Sequence, residues 1–177
     1  MFVFGHVGVG RALLARWRDR LPAVPLIVGM LLPDLIDKPL YYSRVWAFVS
    51  CTRTFGHTGL LLAALVAAAY AWRSRPLAAL SAGMATHLLL DCAFDWPPFG
   101  PNSSAWIALA WPGYSRDFAL FYFPSIATHA ARLLSSTTIV GEAAGLLLLG
   151  WELWRRSSVP ATTTDSMRSR VGHNPEP

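Results

Sequence analysis

Apolar residues fall into five runs along the chain, and turn-forming residues separate the runs. The runs cover 2–16, 23–37, 57–72, 77–94 and 137–154. Each is rich in Leu and Ala and long enough for a helix, so the pattern predicts an all-α, compact membrane-embedded bundle of about five helices. Each run is somewhat shorter than the ~20 residues that cross a ~30 Å hydrocarbon core, so the number of spanning helices stays open.

Helix-breaking residues support these boundaries. Pro22 and Pro25 begin the second helix and Pro76 begins the fourth. The turn at 73–75 is short enough to make helices three and four an antiparallel hairpin. At the N-terminus the apolar part precedes the basic part and no small-residue cleavage site follows, so we expect a retained first helix and not a signal peptide.

Two stretches lack the apolar helical pattern. Residues 95–136 are rich in Trp, Tyr, Phe and Pro, which predicts a long irregular loop with aromatic anchors at a membrane–water interface. Residues 155–177 contain no apolar run and many Arg, Ser, Thr and Pro, which is typical of a disordered tail. The predicted organisation is a membrane-embedded domain over 1–154 followed by a basic tail over 155–177.

Composition favours a membrane protein. Hydrophobic residues make up 54% of the chain and charged residues 14%, with a mean hydropathy of +0.38, against roughly 25% charged in soluble domains. The net charge is +5, but the basic residues lie in short clusters between apolar runs. No motif interleaves basic and aromatic residues, so nucleic acid is not an expected partner.

The distribution of Lys and Arg predicts an orientation, because cytoplasmic loops carry the excess of positive charge. The inner group is Arg16, Arg18, Arg20, Arg73, Arg75, Arg155, Arg156, Arg168 and Arg170, and the outer group is Lys38, Arg44, Arg53, Arg116 and Arg132. This division predicts a multi-pass protein of the bacterial inner membrane with a cytoplasmic C-terminal tail.

Five polar residues then fall on the outer, periplasmic half of the helices. They are His6, Asp34, His57, His87 and Asp91. His87 and Asp91 stand four residues apart and share one helical face. Asp34 and Asp37 also share a face, and Asp34 is the better candidate ligand because Lys38 lies next to Asp37. Each residue alone has a structural explanation, such as a packed or interfacial histidine or a solvated carboxylate.

Glu142 lies inside an apolar run, where a carboxylate facing lipid would cost at least ~2.5–3.5 kcal/mol. It therefore needs a partner, which is a metal, a histidine, Arg132 or a loop residue. His6 lies between Gly5 and Gly8, a pattern that indicates close approach of the backbone to another group. His129 is interpreted as a surface or packing residue.

Cysteine usage does not predict a structural zinc module, because Cys51 and Cys92 form no CxxC pair. Both cysteines are expected to be buried small hydrophobes, or to form a disulfide if they face the periplasm.

Three histidines with two or three carboxylates suit a divalent transition metal, Zn²⁺ above all, in a site of one to three ions. The predicted metal ligands are His6, Asp34, His57, His87, Asp91 and Glu142, and the predicted catalytic residues are His57, His87 and Asp91. Such a site activates water for hydrolysis. The chain has no GxSxG elbow, Walker A loop, GxGxxG or HExxH motif, which argues against serine hydrolases, P-loop NTPases and zincins.

These residues lie in segments that resemble the YdjM-like, bacterial inner-membrane metal-dependent hydrolase family. The matching segments are Gly5-His6, Leu31 to Asp37, Arg53 to Leu61, Thr86 to Asp91 and Trp111-Pro112. The resemblance implies a membrane-bound, metal-dependent hydrolase. The chain is also distantly similar to zinc-dependent phospholipase C and P1-type nucleases, helical enzymes whose zinc sites use an HxxxD helix.

Three functions follow as hypotheses. The first is a hydrolase of a phosphoester or another ester, with a small molecule or a membrane lipid as substrate. The second is a non-enzymatic membrane protein, such as a metal-binding or assembly factor, in which the polar cluster holds the helices together. The third is a small transporter with Glu142 and Asp91 on an ion path.

Overall fold

A computed structural model describes residues 3–43, 51–118, 131 and 136–158. The structure gives bounds for six α-helices, and the described residues contain no strand, which confirms the all-α prediction. The helices are α1 (Val3–Leu13), α2 (Ala23–Ser43), α3 (Gly59–Ala71), α4 (Arg75–Phe99), α5 (Ser104–Leu109) and α6 (Ser136–Ser157). Short 3-10 turns lie at Arg18–Arg20, Phe55–His57 and Gly100–Asn102.

Two helices extend beyond their predicted ends. Helix α2 continues through Pro33 and Pro39 to Ser43, although proline removes a backbone donor and usually ends a helix. Helix α4 continues to Phe99, and α5 follows it. The prediction of an irregular loop from residue 95 was therefore wrong over its first part. Helix α4 continues through the Trp and Pro residues at 96–98, and α5 forms soon after it.

The most extensive packing between described helices is that of α2 against α4, and it depends on two glycines. A Cβ at Gly29 would lie 2.1 Å from the carbonyl oxygen of Leu80, and one at Gly83 would lie 2.2 Å from that of Leu26. Any side chain at either position would push the two backbones apart. This contact brings the second half of α2 beside the second half of α4, where the candidate ligands lie. The adjoining core consists of Val7, Leu26, Met30 and Ala79.

Helix α1 packs mainly against α6, again through backbone contact. A Cβ at Gly8 would meet the carbonyl oxygen of Gly145 at 2.1 Å, and one at Gly145 would meet that of Phe4 at the same distance. The glycine pattern around His6 thus predicted close approach correctly. The group approached at Gly8 is the backbone of α6.

One described helix meets the length and hydropathy expected of a membrane span. It is Arg75–Trp96 within α4, and 56% of its most apolar 18-residue stretch is buried inside the fold. Helix α3 is equally apolar but has only 13 residues. Helix α6 exposes a large apolar surface that includes Ile139, Val140, Leu147, Trp151, Leu153 and Trp154.

Several predictions lie outside the described residues. They concern residues 119–130, with His129, the predicted partner Arg132, and the tail from 159 onward. Helix α6 continues to Ser157, so the first residues assigned to that tail are helical.

Candidate metal centre

His87 lies on the buried face of α4, and its orientation is fixed by α2. Its Nδ1 lies 2.7 Å from the carbonyl oxygen of Met30. Because a carbonyl can only accept a hydrogen bond, Nδ1 carries the proton and donates. In the neutral ring, Nε2 therefore presents its lone pair to the interior of the bundle.

His57 is oriented in the same way by Asp37. It lies on the 3-10 turn before α3, and its Nδ1 is 2.7 Å from Oδ2 of Asp37. The same carboxylate accepts hydrogen bonds from the amide and hydroxyl of Thr54 and from the amide of Gly56. Because a carboxylate can only accept hydrogen bonds, Nδ1 of His57 donates to Asp37, and Nε2 again faces inward.

A glycine makes this arrangement possible. A Cβ at Gly56 would lie 2.6 Å from the carbonyl oxygen of Pro33 and 3.1 Å from Cγ of Asp37. Only a residue without a side chain lets the turn lie against α2 and donate its amide to Asp37. The Gly-His order in this segment thus serves the position of His57.

Three inward-facing atoms form a triangle with the dimensions of a zinc site. Nε2 of His57 lies 3.3 Å from Nε2 of His87 and 3.5 Å from Oδ2 of Asp91, and the third side measures 3.8 Å. A point equidistant from the three atoms is about 2.05 Å from each, which is the length of zinc–nitrogen and zinc–oxygen bonds. The three residues are at most 4% exposed.

The two imidazoles place lone pair against lone pair, so a positive group is needed between them. A metal ion satisfies both rings and Asp91 together. The alternative is a proton on Nε2 of His57. Burial lowers the pKa of His57, but hydrogen bonds to Asp37 and Asp91 outweigh burial, so the pKa lies above its ordinary value. Binding of a metal would therefore displace a proton from this ring.

His6 and Asp34 lie next to the triangle. Nε2 of His6 is 3.4 Å from Oδ1 of Asp91, and its ring stacks on His87 with centroids 3.8 Å apart. Nδ1 of His6 is buried and has no hydrogen-bond partner among the described residues. Oδ1 of Asp34 is 3.8 Å from Nε2 of His57. The five residues that the sequence predicts to share one side of the membrane therefore lie close together in one cluster.

Two overlapping groups of ligand atoms result, His57 with His87 and Asp91, and His6 with Asp34 and His87. Within each group the atoms lie within 4.8 Å of one another. Nδ1 of His87 is engaged by Met30, so His87 offers a single nitrogen and serves only one ion.

The pairing predicted for Lys38 needs correction. Lys38 does not pair with Asp37; its Nζ lies 2.5 Å from Oδ2 of Asp34, one helical turn away. Asp37 is fully buried and holds His57. The i,i+4 spacing of Asp34 and Lys38 was the signal that could have predicted this pair.

Glu142 lies outside both groups. Its two carboxylate oxygens accept hydrogen bonds from the amides of Phe4 and Gly5, each at 3.0 Å. The first amides of a helix have no partner within the helix, and a carboxylate there also interacts favourably with the helix dipole. Glu142 thus fastens α6 to the start of α1, immediately before His6.

Arg53 belongs to the site, although the sequence suggested only an outer loop charge. Its Nε lies 2.8 Å from Oδ2 of Asp91, and its Nη1 donates to Asp95 and to Ser104. Burial lowers the pKa of Arg53, but the charges of Asp91 and Asp95 outweigh burial and raise it. Its position before the 3-10 turn gave no periodic signal.

Charge within the cluster is unbalanced. Following the ion pairs outward from the histidines gives four carboxylates (Asp34, Asp37, Asp91, Asp95) and two cations (Lys38, Arg53). With the histidines neutral, two negative charges in this largely buried region have no counter-charge among the described residues. Uncompensated buried charge is costly, and one divalent cation would neutralise it.

The cysteines take no part in these groups. Both Cys51 and Cys92 are free and buried. Burial raises the pKa of Cys51 to about 11, and its thiol donates to the carbonyl of Arg53. The prediction of buried small hydrophobes fits both residues, and the disulfide alternative is not found in the structure.

Comparison with known proteins supplies the family. The model of the YdjM inner membrane protein family matches residues 1–159, so the chain belongs to that family and is an inner membrane protein. No curated protein and no solved structure matches the chain.

Proposed function

We propose that this member of the YdjM inner membrane protein family is a metal-dependent hydrolase that binds a zinc ion between His57, His87 and Asp91. The observation that supports the proposal most strongly is the triangle of two Nε2 atoms and one carboxylate oxygen, with sides of 3.3, 3.5 and 3.8 Å. His6 and Asp34 are the further ligands within reach.

The ligand orientation in this proposal comes from two acceptors in α2. The carbonyl of Met30 and the carboxylate of Asp37 each hold one Nδ1 proton, so each imidazole keeps Nε2 for the metal. Such partners of metal-bound histidines fix the tautomer and increase the basicity of the ligand. A zinc ion bound there would supply a nucleophile for ester hydrolysis by lowering the pKa of its water towards about 7.

Access to the site follows from differences in exposure. The histidines are at most 1% exposed, whereas the side chains of Asp34, Lys38 and Arg53 are 19%, 28% and 20% exposed. The open edge of the cluster is therefore lined by these polar residues. In the proposed arrangement the substrate is an ester that enters at this edge, a small molecule or a membrane lipid, on the periplasmic side of a multi-pass protein.

A structural role for the cluster is the competing proposal. The raised pKa of His57 and its contact with Asp91 favour a protonated, metal-free cluster that only ties α2, α4 and the 3-10 turn together. This alternative and the hydrolase differ first in whether the purified protein contains metal.

The first experiment measures zinc in the detergent-purified full chain by mass spectrometry. We expect about one zinc ion per wild-type chain and a loss of at least about 90% of the zinc in His87→Ala. Removing only a hydrogen-bond partner of a ligand lowers metal affinity about 10–100-fold, and removing the ligand itself should lower it more. His173→Ala, in the predicted tail, is the matched control and should retain zinc. A wild type that binds no zinc after reconstitution would overturn the metal site.

The second experiment addresses the reaction. Zinc-loaded protein is offered chromogenic phosphomonoesters, phosphodiesters and carboxyl esters, with the His87→Ala variant in parallel. Turnover that disappears with a chelator, returns with zinc and is absent from the variant is the expected result. Bound zinc without turnover of any ester would support a non-enzymatic, metal-binding role.

A further inference from the structure

Arg53 stands out among the residues of the cluster because it is a cation placed directly against a candidate metal ligand. Its Nε lies 2.8 Å from Oδ2 of Asp91, the oxygen that is 3.5 Å from Nε2 of His57. A metal of the proposed function would take this same oxygen at about 2.0–2.2 Å. Nε of Arg53 and the ion would then be neighbours on one carboxylate oxygen, at most about 5 Å apart.

Two further contacts fix the plane of the guanidinium. Nη1 of Arg53 donates to Oδ2 of Asp95 at 2.5 Å and to Oγ of Ser104 at 2.9 Å. Asp91 and Asp95 are one helical turn apart on α4, and Ser104 begins α5. With Nε directed at Asp91 and Nη1 at Asp95 and Ser104, the Nη2 amino group is the part of the fork not engaged in these contacts.

Arg53 is also placed where a ligand could reach it. Its side chain is 20% exposed, while Asp91 beside it is 5% exposed. A ligand entering at the open edge would meet the guanidinium before the buried histidines. The Nη2 amino group carries two N–H donors, and charge-assisted hydrogen bonds from arginine to phosphate oxygens are about twice as strong as neutral ones.

We propose that Arg53 is the anion-recognising residue of this site and that the substrate is a phosphoester. The inference rests on the proposed metal site and narrows its substrate class. One phosphate oxygen would bind the metal, and another would accept hydrogen bonds from Arg53. A single phosphate can reach both groups, because the metal and Nε of Arg53 would be at most about 5 Å apart. A neutral carboxyl ester would leave this cation without a matching charge on the ligand.

The test measures binding of inorganic phosphate to the zinc-loaded full chain in detergent by calorimetry. The wild type should bind phosphate, and Arg53→Gln should weaken binding roughly ten- to hundredfold, the range for a lost hydrogen bond to a charged group, with its zinc content unchanged. Arg116→Gln is the matched control, because Arg116 is exposed and its side chain takes no part in the cluster. It should bind both zinc and phosphate as the wild type does.

The outcomes separate this inference from the metal site itself. Zinc-loaded wild type that does not bind phosphate, or Arg53→Gln that keeps zinc and full phosphate affinity, overturns the inference and leaves the metal site intact. If Arg53→Gln loses zinc or fails to fold, Arg53→Lys decides, because it keeps a positive charge beside Asp91 without the fork. If Arg53→Lys retains zinc and binds phosphate more weakly than the wild type, the inference is supported. If Arg53→Lys binds phosphate as the wild type does, the inference is refuted.

Discussion

Two clusters of charged residues among the described residues differ in how their charges are paired. At the far end of α1, Arg11 donates through Nε and Nη2 to the two carboxylate oxygens of Glu152, and Arg156 also contacts Glu152 and reaches Asp19. Two cations and two carboxylates compensate each other there. The His/Asp cluster holds two more carboxylates than cations and two opposed imidazole lone pairs.

This difference separates a structural ion-pair network from a ligand site. The Arg11 network contains its own counter-charges, so it can fasten α1 to α6 without any added ion. In the His/Asp cluster Asp37 and Met30 fix the orientation of both rings, but with the two histidines neutral no hydrogen-bond donor lies between their inward nitrogens. A perturbation of the first cluster should change stability, and a perturbation of the second should change ligand binding.

The largest effect on stability is expected from Glu152→Gln, which removes the carboxylate from the self-paired cluster. Arg11 is 11% exposed at its side chain, and an unpaired buried charge costs about 3–5 kcal/mol. At about 2–4 °C per kcal/mol for a chain of this size, the Tm in detergent should fall by about 10 °C. Asp19→Asn is the control, because Asp19 is 71% exposed at its side chain. Zinc affinity reduced along with Tm would contradict the separation of the two clusters.

A smaller effect is expected from Asp37→Asn, and it should appear in metal affinity. The change weakens the acceptor that holds Nδ1 of His57 and introduces an amide donor against Thr54 and Gly56. Loss of such a partner typically lowers metal affinity by about 10–100-fold. Competition with a chromogenic chelator measures the change, with exposed Asp117→Asn as the matched control. Wild-type zinc affinity in Asp37→Asn would show that the orientation of His57 does not depend on Asp37.

The smallest effect is expected from Glu142→Gln, which tests whether this residue belongs to the metal site. Glutamine keeps one acceptor for the amides of Phe4 and Gly5, so the cost should be about 1 kcal/mol, or a few degrees in Tm. Zinc content should remain that of the wild type. A variant that loses zinc would instead make Glu142 a ligand, as the sequence had suggested.

The sequence predicted the helices well because their apolar runs are continuous and Leu- and Ala-rich. It also placed His87 and Asp91 on one face, because the 3.6-residue period is a local property. Convergence of Asp34 on that face depends on the close α2–α4 contacts at Gly29 and Gly83, and the position of His57 depends on the contact at Gly56. No local pattern encodes these contacts.

Local sequence patterns do not predict contacts between residues that lie far apart along the chain. Adjacency in the sequence is also a poor guide to which charged residues pair. Lys38 was assigned to its neighbour Asp37, although the helical period brings it to Asp34. Glu142 was expected to need a metal, a histidine, Arg132 or a loop residue as its partner; it contacts amides at the start of α1, 137 residues away for Gly5, and Arg132 lies outside the described residues. Arg53 contacts Asp95 at a separation of 42 residues and carries no periodic signal.

The backbone contact between Gly8 and Gly145 has a consequence for the order in which the protein is made. His6 is synthesised long before Gly145, yet its helix packs mainly against α6. The carboxylate of Glu142, which holds the amides of Phe4 and Gly5, arrives equally late. His6 can therefore take its place only after α6 has been made, whereas His57, His87 and Asp91 all precede α6 in the chain.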